Sequence, residues 1–287
     1  ILEIQKRLPF IEIIHHPISK DYKFELETAS GFLYKLSRHR WYSFLKMQKR
    51  VAKDINNIIT PSKNSLKDIS VDLNVNQKNI NVINNGLDID TFIPYKNIKR
   101  DPFRLITTAS ADVALKGLDY SLKSIAILSK TFPEISLLVI GQLKKDGHTS
   151  RLIEELGIGA RIIFKTGLTK EEIAKEYASS SVAIVSSLYE GFGYPVIEAM
   201  SCEVPLIATN TSSIPELVGD FATLIPPMNE NDLSEAIKNI LTNFKKYEKI
   251  AESGRHHIIE NFNWLKITQE YEDMIYKTIQ DFNNANL

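Results

Sequence analysis

Two glutamates, Glu190 and Glu198, stand eight positions apart around a glycine-rich loop, directly after an apolar run that is typical of a buried strand. Gly191 and Gly193 would let the backbone approach a ligand closely, and Pro195 suits the first turn of a helix. Free N–H groups at such a helix start favour an anion such as a phosphate, and carboxylates accept hydrogen bonds from sugar hydroxyls. The segment therefore predicts a nucleotide-sugar site, unless the glycines only serve a turn and both glutamates are merely solvated.

The elements that must position this loop alternate between strand-like and helix-like patterns from residue 103 to residue 243. Short apolar runs between helices indicate a parallel sheet covered on both faces, and right-handed crossovers make it a doubly wound, Rossmann-like α/β domain. Ligands of such sheets bind beyond the carboxyl ends of the strands, so the site is expected in the loops that follow them. Those loops come after Ala109, Gly141, Phe164, Ser187, Ala208 and Ile225.

The first hundred residues have the appearance of the second half of another Rossmann-like domain. Three short strands are predicted there, at residues 10–14, 57–60 and 80–83. We expect a partial N-terminal domain with its linker at 1–95, a nucleotide-sugar-binding domain at 96–261, and a C-terminal helix at 262–287. The linker segment itself is predicted over residues 87–100. The helix is expected to pack back on the N-terminal domain, and the chain to lack the beginning of that domain.

Composition argues against several other classes of protein. The 287 residues include 35 Lys and Arg and 35 Asp and Glu, so the net charge is zero and nucleic acid is not an expected partner. The single cysteine, Cys202, is interpreted as a buried small residue, and it fits a reducing, cytoplasmic compartment. No apolar run is long enough to span a bilayer, and no signal-peptide pattern is present. The histidines are scattered, with His256 and His257 interpreted as a surface pair, so no metal site is predicted.

The stretch from residue 32 to residue 51 combines aromatic and basic side chains, a composition typical of helices that lie at a membrane interface. It is predicted as one long helix over 33–51. One interpretation is peripheral membrane contact. The other, which we prefer, is that its apolar side covers the sheet of the N-terminal domain while its basic side lines the cleft.

The letters around the two glutamates resemble the family 4, or group 1, glycosyltransferases of the two-Rossmann-domain GT-B type. In that family two glutamates are separated by seven residues, with E-G-F-G at the start and E-A-M at the end, as in residues 190–200 here. Further motifs follow in the family's order: T-P-S-K-N-S at 60–65, N-N-G-L-D at 84–88, K-G at 116–117 and S-I-P-E at 213–216. The resemblance extends over the chain from about His15 onward.

The resemblance implies retaining transfer of a hexose from a nucleotide sugar, with UDP or GDP as the carrier, and without a metal ion or cofactor. The acceptor would be a glycan, a lipid-linked molecule or a small molecule. Lys116, Glu190 and His15 are the implied catalytic residues, with Lys116 on the diphosphate and Glu190 on the sugar; His16 competes with its neighbour for the place beside the sugar. Glu198 would bind the ribose hydroxyls. The other implied donor-binding residues are Ser110, Gly167, Gly191, Phe192, Gly193 and Tyr194.

One departure from the family pattern concerns Ser110, which stands where family members usually carry an arginine that clamps the phosphates together with the lysine. Either Lys116 and the helix dipoles suffice, or Arg104 or Arg161 compensates, or the donor is bound weakly. The sequence also lacks the family's first strand and glycine-rich loop, so the acceptor site is expected to lie largely elsewhere. The alternatives to a transferase are a phosphorylase or epimerase of the same fold, and a non-catalytic nucleotide-sugar-binding fragment or half of a split enzyme that needs a separate N-terminal domain.

Overall fold

The computed structural model describes residues 1–28 and 31–285, and the chain forms two compact units. Unit 1 comprises Ile1–Gly86 and Trp264–Leu287, and unit 2 comprises Leu87–Asn263. The strands, in chain order, are β1 (Glu12–Ile13), β2 (Ile58–Thr60), β3 (Ile80–Val82), β4 (Asp101–Thr108), β5 (Ser136–Ile140), β6 (Ile162–Lys165), β7 (Ser180–Val185), β8 (Leu206–Thr209) and β9 (Thr223–Ile225). Within the described residues the α-helices are α1 (Leu2–Gln5), α2 (Ser19–Thr28), α3 (Phe32–Trp41), α4 (Leu45–Ala52), α5 (Lys63–Asp72), α6 (Leu118–Leu128), α7 (His148–Glu155), α8 (Lys170–Ala178), α9 (Tyr194–Ser201), α10 (Ile214–Val218), α11 (Glu230–Thr242), α12 (Phe244–Asn261) and α13 (Trp264–Ala285).

Unit 1 contains a three-stranded parallel sheet in the order β1–β2–β3. Strand β1 is shorter than predicted, because only Glu12 and Ile13 pair in register with β2. Helix α5 begins where the T-P-S motif places it, since the Ser62 hydroxyl accepts a hydrogen bond from the Ser65 N–H at 3.0 Å and caps the first turn.

The predicted helix over 33–51 is two helices, α3 and α4, joined by a 3-10 turn at Tyr42–Phe44. Tyr42 is the buried residue of this turn, and its ring packs on that of Tyr22 with 4.8 Å between the centroids. The preferred interpretation, that the apolar side of this stretch covers the sheet, holds for the end of α4, where Ala52 joins a core cluster with Ile58 of β2. It is wrong for α3, which contains no buried residue.

The C-terminal helix α13 packs within unit 1. Its Ile267 and Met274, seven residues apart and therefore on one face, form a buried cluster with Ile59 of β2 and with Ile83. The helix begins at residue 264 rather than 262, and residues 286 and 287 of the predicted helix lie outside the described part of the chain. No helix among the described residues is long and apolar enough to cross a membrane.

The strands of unit 2 form one six-stranded parallel sheet in the order β6–β5–β4–β7–β8–β9. Both faces are covered, as β7 illustrates: Val182 and Ile184 belong to one core cluster, whereas Ala183 and Val185 belong to another. Burial on both faces is why these strands are continuous apolar runs in the sequence. The predicted doubly wound, Rossmann-like fold is confirmed.

The segment predicted as a linker, residues 87–100, belongs to unit 2. Leu87 and Phe92 are each only 3% exposed and lie in its core, and the Leu87 N–H donates to the Phe262 carbonyl at 2.7 Å. Two buried apolar side chains would not remain on a free connection, because their burial is favourable. The structure therefore places the boundary between the units after Gly86, rather than after residue 95.

The strand order of unit 2 reverses at β4, since β5 lies on one side of it and β7 on the other. At the carboxyl ends of β4 and β7 the two following loops are joined through their backbones. The Leu188 N–H donates to the Leu115 carbonyl at 2.7 Å, and the Ser186 hydroxyl donates to the Gly117 carbonyl at 2.9 Å. Gly117 has a φ of +60°, and a Cβ atom there would lie 2.0 Å from the Ser186 carbonyl oxygen. Such a switch point is where ligands of this fold class bind.

Replacing Gly117 with alanine should separate these loops. We expect a loss of about 2–4 kcal/mol in the free energy of unfolding, because the left-handed backbone alone costs roughly 1–2 kcal/mol and the Cβ also collides with a backbone oxygen. Gly157→Ala is the matched control: φ is +64°, but nothing lies within 4 Å of its Cβ, so only the backbone cost should appear. Urea unfolding of both variants tests this, and equal losses would show that the close approach is unimportant.

Candidate functional site

The switch point holds an ion pair between the two loops. The Lys116 Nζ atom lies 2.8 Å from Oε1 of Glu190, and the same oxygen accepts a hydrogen bond from the Ser187 hydroxyl at 2.7 Å. Glu190 is 9% exposed, whereas the Lys116 side chain is 31% exposed. Two of the predicted catalytic residues, 74 positions apart in the chain, are therefore in direct contact at the carboxyl edge of the sheet.

The loop that carries Glu190 is held from the side of β8 by two serines. The Glu190 N–H donates to the Ser212 hydroxyl at 2.9 Å, and the Ser213 hydroxyl donates to the Glu190 carbonyl at 2.9 Å and to the Phe192 carbonyl. Sequence reasoning recognised Ser213 as part of a turn motif but assigned neither serine to the site. Their contribution could not be read from spacing, because it depends on which loops are adjacent in the sheet.

Glu198 lies in α9, which begins after Gly193 and has Pro195 in its first turn. The Tyr177 hydroxyl of α8 donates to the Glu198 carboxylate at 3.3 Å. Burial raises the pKa of Glu198 to about 7, although the hydrogen bond from Tyr177 and the charge of Lys170 act in the opposite direction. The two glutamates therefore have different surroundings: Glu190 contacts a cation, and Glu198 contacts a neutral phenol. Sequence reasoning missed Tyr177, whose polar group at a core position could have signalled a need for a partner.

Four other predicted donor-binding residues follow strands of the same sheet. Ser110 is exposed just after β4, Gly167 is exposed in the turn after β6, and Tyr194 is 41% exposed in the first turn of α9. The Phe192 side chain is buried, with its ring edge-to-face on Phe262, so only its backbone is placed to meet a ligand.

The two candidate histidines follow β1 in unit 1. His15 is exposed, whereas His16 is partly buried with its Nε2 atom 2.8 Å from Oδ2 of Asp21. The structure thereby distinguishes two neighbours that spacing left equivalent. A role for either beside the sugar stays a prediction.

The two arginines considered as replacements for the missing phosphate clamp are engaged elsewhere. Arg104 donates to the Glu176 carboxylate, and Arg161 donates to the Pro133 carbonyl. Arg161 directly precedes β6, and Arg104 is in register with Ser136, the first residue of β5. Both therefore lie towards the amino ends of the parallel strands, away from the candidate site, which contradicts the alternative that either compensates.

His257 is not the surface residue that was expected. Its Nε2 atom lies 3.0 Å from the Leu217 carbonyl oxygen, and its ring packs on those of Phe221 and Phe262, because α12 turns this face towards the core.

Cys202 is fully buried, as predicted, and burial raises the pKa of its thiol. Across residues 1–28 and 31–285, no group of three or more His, Cys, Asp or Glu side chains is placed to hold a metal ion.

Residues 90–257 match the model of the family described as glycosyl transferases group 1. The chain is 34% identical over 283 residues to the MMP alpha-(1->4)-mannosyltransferase of Mycolicibacterium hassiacum. This alignment covers 97% of this chain and 68% of that protein. It spans about half the length of several more distant curated relatives.

Solved structures of similar fold include the sucrose-phosphate synthase of Thermosynechococcus elongatus, with a TM-score of 0.77, 22% identity and coverage of 96% of this chain and 69% of that one. HepE of Anabaena in complex with UDP-glucose has a TM-score of 0.78 at 18% identity, over 96% of this chain and 76% of that one. Such low identities show the fold alone. The family is shown by the match to the family model and by the 34% identity to the mannosyltransferase. The chain belongs to the group 1 glycosyl transferases and is a glycosyltransferase of the GT-B fold.

Proposed function

We propose that unit 2 binds a nucleoside diphosphate sugar at the carboxyl ends of β4 and β7, and that the sugar passes to an acceptor hydroxyl with retention of its anomeric configuration. The observation that carries the proposal is the contact between Lys116 and Glu190 at the switch point of the sheet. A cation and an immobilised carboxylate beside a helix start suit the two ends of such a donor, which are its phosphates and its sugar hydroxyls.

Lys116 is proposed to stabilise the diphosphate as it leaves. An ammonium group has three N–H donors, so Lys116 can keep its hydrogen bond to Glu190 and still donate to a phosphate oxygen from its exposed side. The dipole of α9, whose positive end lies at Tyr194, adds a second source of positive potential. Groups that are already oriented towards a developing negative charge lower the barrier to its departure.

The diphosphate would be held without a bidentate arginine. Arg104 and Arg161 are turned away, so we propose Lys116 and the Ser110 hydroxyl as its donors, together with the positive end of the α9 dipole. A single ammonium and a neutral hydroxyl bind phosphate less tightly than an arginine clamp does. We therefore propose that much of the donor's affinity comes from its nucleoside, through Glu198 and the turn that contains Gly167.

The residue beside the sugar, the donor sugar and the type of enzyme are proposed in less detail than the phosphate contacts. His15 is the better candidate for the position beside the sugar, because its ring is exposed while His16 is bound to Asp21. A hexose donor carried by UDP or GDP is proposed, and mannose is the first sugar to test, since the relative at 34% identity is named a mannosyltransferase. That relative and its family are enzymes, which favours a transferase over a non-catalytic binding module.

Calorimetric titration of the chain with UDP, GDP and ADP, and with their hexose conjugates, tests the donor site. One base should bind in preference to the others. Glu198→Gln should lower the affinity for the nucleoside and for the nucleotide alike by about tenfold or more, because a hydrogen bond to a charged group contributes roughly 1.5–3 kcal/mol. Lys116→Ala should lower the affinity for the nucleoside diphosphate by a similar factor, and the affinity for the nucleoside hardly at all.

Lys245→Ala provides the control for loss of a lysine. Lys245 directly follows Phe244, and the guanidinium of Arg100, just before β4, lies over the Phe244 ring. Lys245 therefore lies near the amino edge of the sheet, away from the proposed site. Its diphosphate affinity should equal that of the unaltered chain. Unchanged binding in both Glu198→Gln and Lys116→Ala would refute the site, and donor binding without any sugar transfer would favour the non-catalytic alternative.

We also propose a peripheral contact with anionic membranes through the basic helical surface, defined as residues 32–50. Its apolar side chains are exposed, with Phe32 and Leu33 each at 79% and Trp41 at 67%. Residues 32–50 contain six Lys and Arg and no Asp or Glu, in a chain whose net charge is zero. Exposed aromatic and basic groups together complement an anionic lipid surface, at about 1 kcal/mol for each basic residue near it. The proposed location is thus cytoplasmic and membrane-peripheral.

Sedimentation with vesicles tests this contact. The chain should bind vesicles of phosphatidylcholine mixed with phosphatidylserine but not phosphatidylcholine alone, and added salt should release it, because the attraction is screened. Arg40→Glu and Trp41→Ser should each weaken binding, as both side chains are exposed. Lys245→Glu and Leu265→Ser, at exposed positions of α12 and α13, are the matched controls. Equal binding to neutral vesicles, or equal loss in the controls, would contradict a specific anionic contact.

A further inference from the structure

The side chain of Tyr177 is 1% exposed, and its hydroxyl lies among three oxygens. The Thr108 hydroxyl is 3.2 Å away, the Glu198 carboxylate 3.3 Å and the Pro195 carbonyl 3.4 Å. Thr108 ends β4, and Pro195 and Glu198 belong to α9, so one buried phenol on α8 joins the elements on both sides of the switch point. The proposed function uses Glu198 but does not account for this hydroxyl.

The chemistry of the phenol restricts how these bonds are arranged. A phenol has one proton to donate, and the Thr108 hydroxyl can donate to the phenol oxygen. The Tyr177 proton then has two possible acceptors, the Pro195 carbonyl and the Glu198 carboxylate. A hydrogen bond to an ionised acceptor is roughly twice as strong as one between neutral groups. Ionised Glu198 therefore attracts the Tyr177 proton.

We propose that Tyr177 is a positioning residue of the donor site, whose hydroxyl orients the Glu198 carboxylate to accept the nucleotide's ribose hydroxyls. The proposal rests on the proposed role of Glu198 in binding the donor. A carboxylate with one oxygen anchored by Tyr177 has a defined orientation, and its remaining lone pairs are available to a pair of neighbouring hydroxyls. Orienting groups of this kind reduce the rotational freedom that a binding residue loses when the ligand arrives.

The charges around Glu198 support this role. Burial raises the pKa of its carboxyl group to about 7, and the Tyr177 hydrogen bond and the Lys170 charge oppose that rise. Cys202, at the end of α9, also faces Glu198, and Arg255 of α12 faces Cys202 in turn. Burial raises the pKa values of Tyr177 and Cys202 above their ordinary ranges, so both stay neutral around pH 7. Glu198 is therefore the member of this group that changes charge near neutrality, becoming ionised as the pH rises through about 7.

The experiment measures the affinity of the full chain for UDP-hexose and for GDP-hexose over a range of about 1.5 pH units on either side of 7, because these diphosphate diesters, unlike UDP and GDP, have no phosphate that titrates in that range. For whichever nucleotide binds, affinity should rise with pH as Glu198 ionises. Tyr177→Phe keeps the buried ring and removes the hydroxyl, so the midpoint of the profile should move to higher pH. Affinity should then fall by about three- to tenfold near pH 7, and by less at the alkaline end.

Thr108→Val is the matched control, since it removes a hydrogen bond to Tyr177 while leaving the bond from Tyr177 to Glu198 in place. Its midpoint should stay where it is in the unaltered chain. In the Glu198→Gln background, Tyr177→Phe should have no further effect on affinity, because a residue that acts through another gives a non-additive double mutant.

Two results would overturn the inference alone: a Tyr177→Phe profile lowered by one factor at every pH, or Tyr177→Phe and Glu198→Gln effects that simply add. Either would mean that the hydroxyl supports binding without acting through the Glu198 carboxylate. Unchanged donor affinity in Glu198→Gln has a different meaning, because it would remove Glu198 from the binding site and with it the proposed role on which the inference rests.

Discussion

Glu190 is a carboxylate buried at the carboxyl edge of a parallel sheet, and the organisation of the site follows from what that group requires. A buried charge without partners costs several kcal/mol, so the site is stable only if a cation and hydrogen-bond donors reach it. Lys116 and Ser187 supply them. Lys116 comes from the loop after β4 and Glu190 from the loop after β7, so the ion pair requires these neighbouring loops to meet. The close approach at Gly117 and the backbone bond from Leu188 to Leu115 allow them to do so.

The second carboxylate has a different partner and hence different chemistry. Glu190 contacts a cation, whereas Glu198 contacts the neutral hydroxyl of Tyr177 in a buried environment that raises its pKa to about 7. Two residues of one type, eight positions apart, thereby have different partners because of their surroundings alone. Under the proposed function, Glu190 contacts the sugar at the reacting end of the donor, and Glu198 contacts the nucleoside. Perturbed carboxylates of this kind are common at binding sites because ligands use the groups that folding leaves incompletely satisfied.

Much of the fold could be predicted, because the apolar runs of unit 2 are long enough to bury a sheet on both faces and the helices between them are amphipathic. Each strand of this sheet ends within two residues of the position after which a loop was predicted. The prediction failed where position depends on distant partners. Leu87 and Phe92 were assigned to a linker although they lie in the core, and α3 was expected on the sheet although its apolar side chains are exposed. Periodicity indicates which side chains lie together on one face of an element, but not what that face meets.

The sequence by itself determined the family and the Rossmann-like architecture of unit 2, and it predicted two glutamates and a lysine as site residues. These depend on local patterns: glycines beside a strand end, a proline in a first turn and carboxylates at a set spacing. Only the tertiary structure decided which partner each group has. Lys116 contacts Glu190, Tyr177 contacts Glu198, and Arg104 is turned towards Glu176 rather than a phosphate. The physical reason is that hydrogen bonds and ion pairs act over about 3 Å, a separation set by strand order and loop contacts between residues that are about 20 to 75 positions apart in the chain.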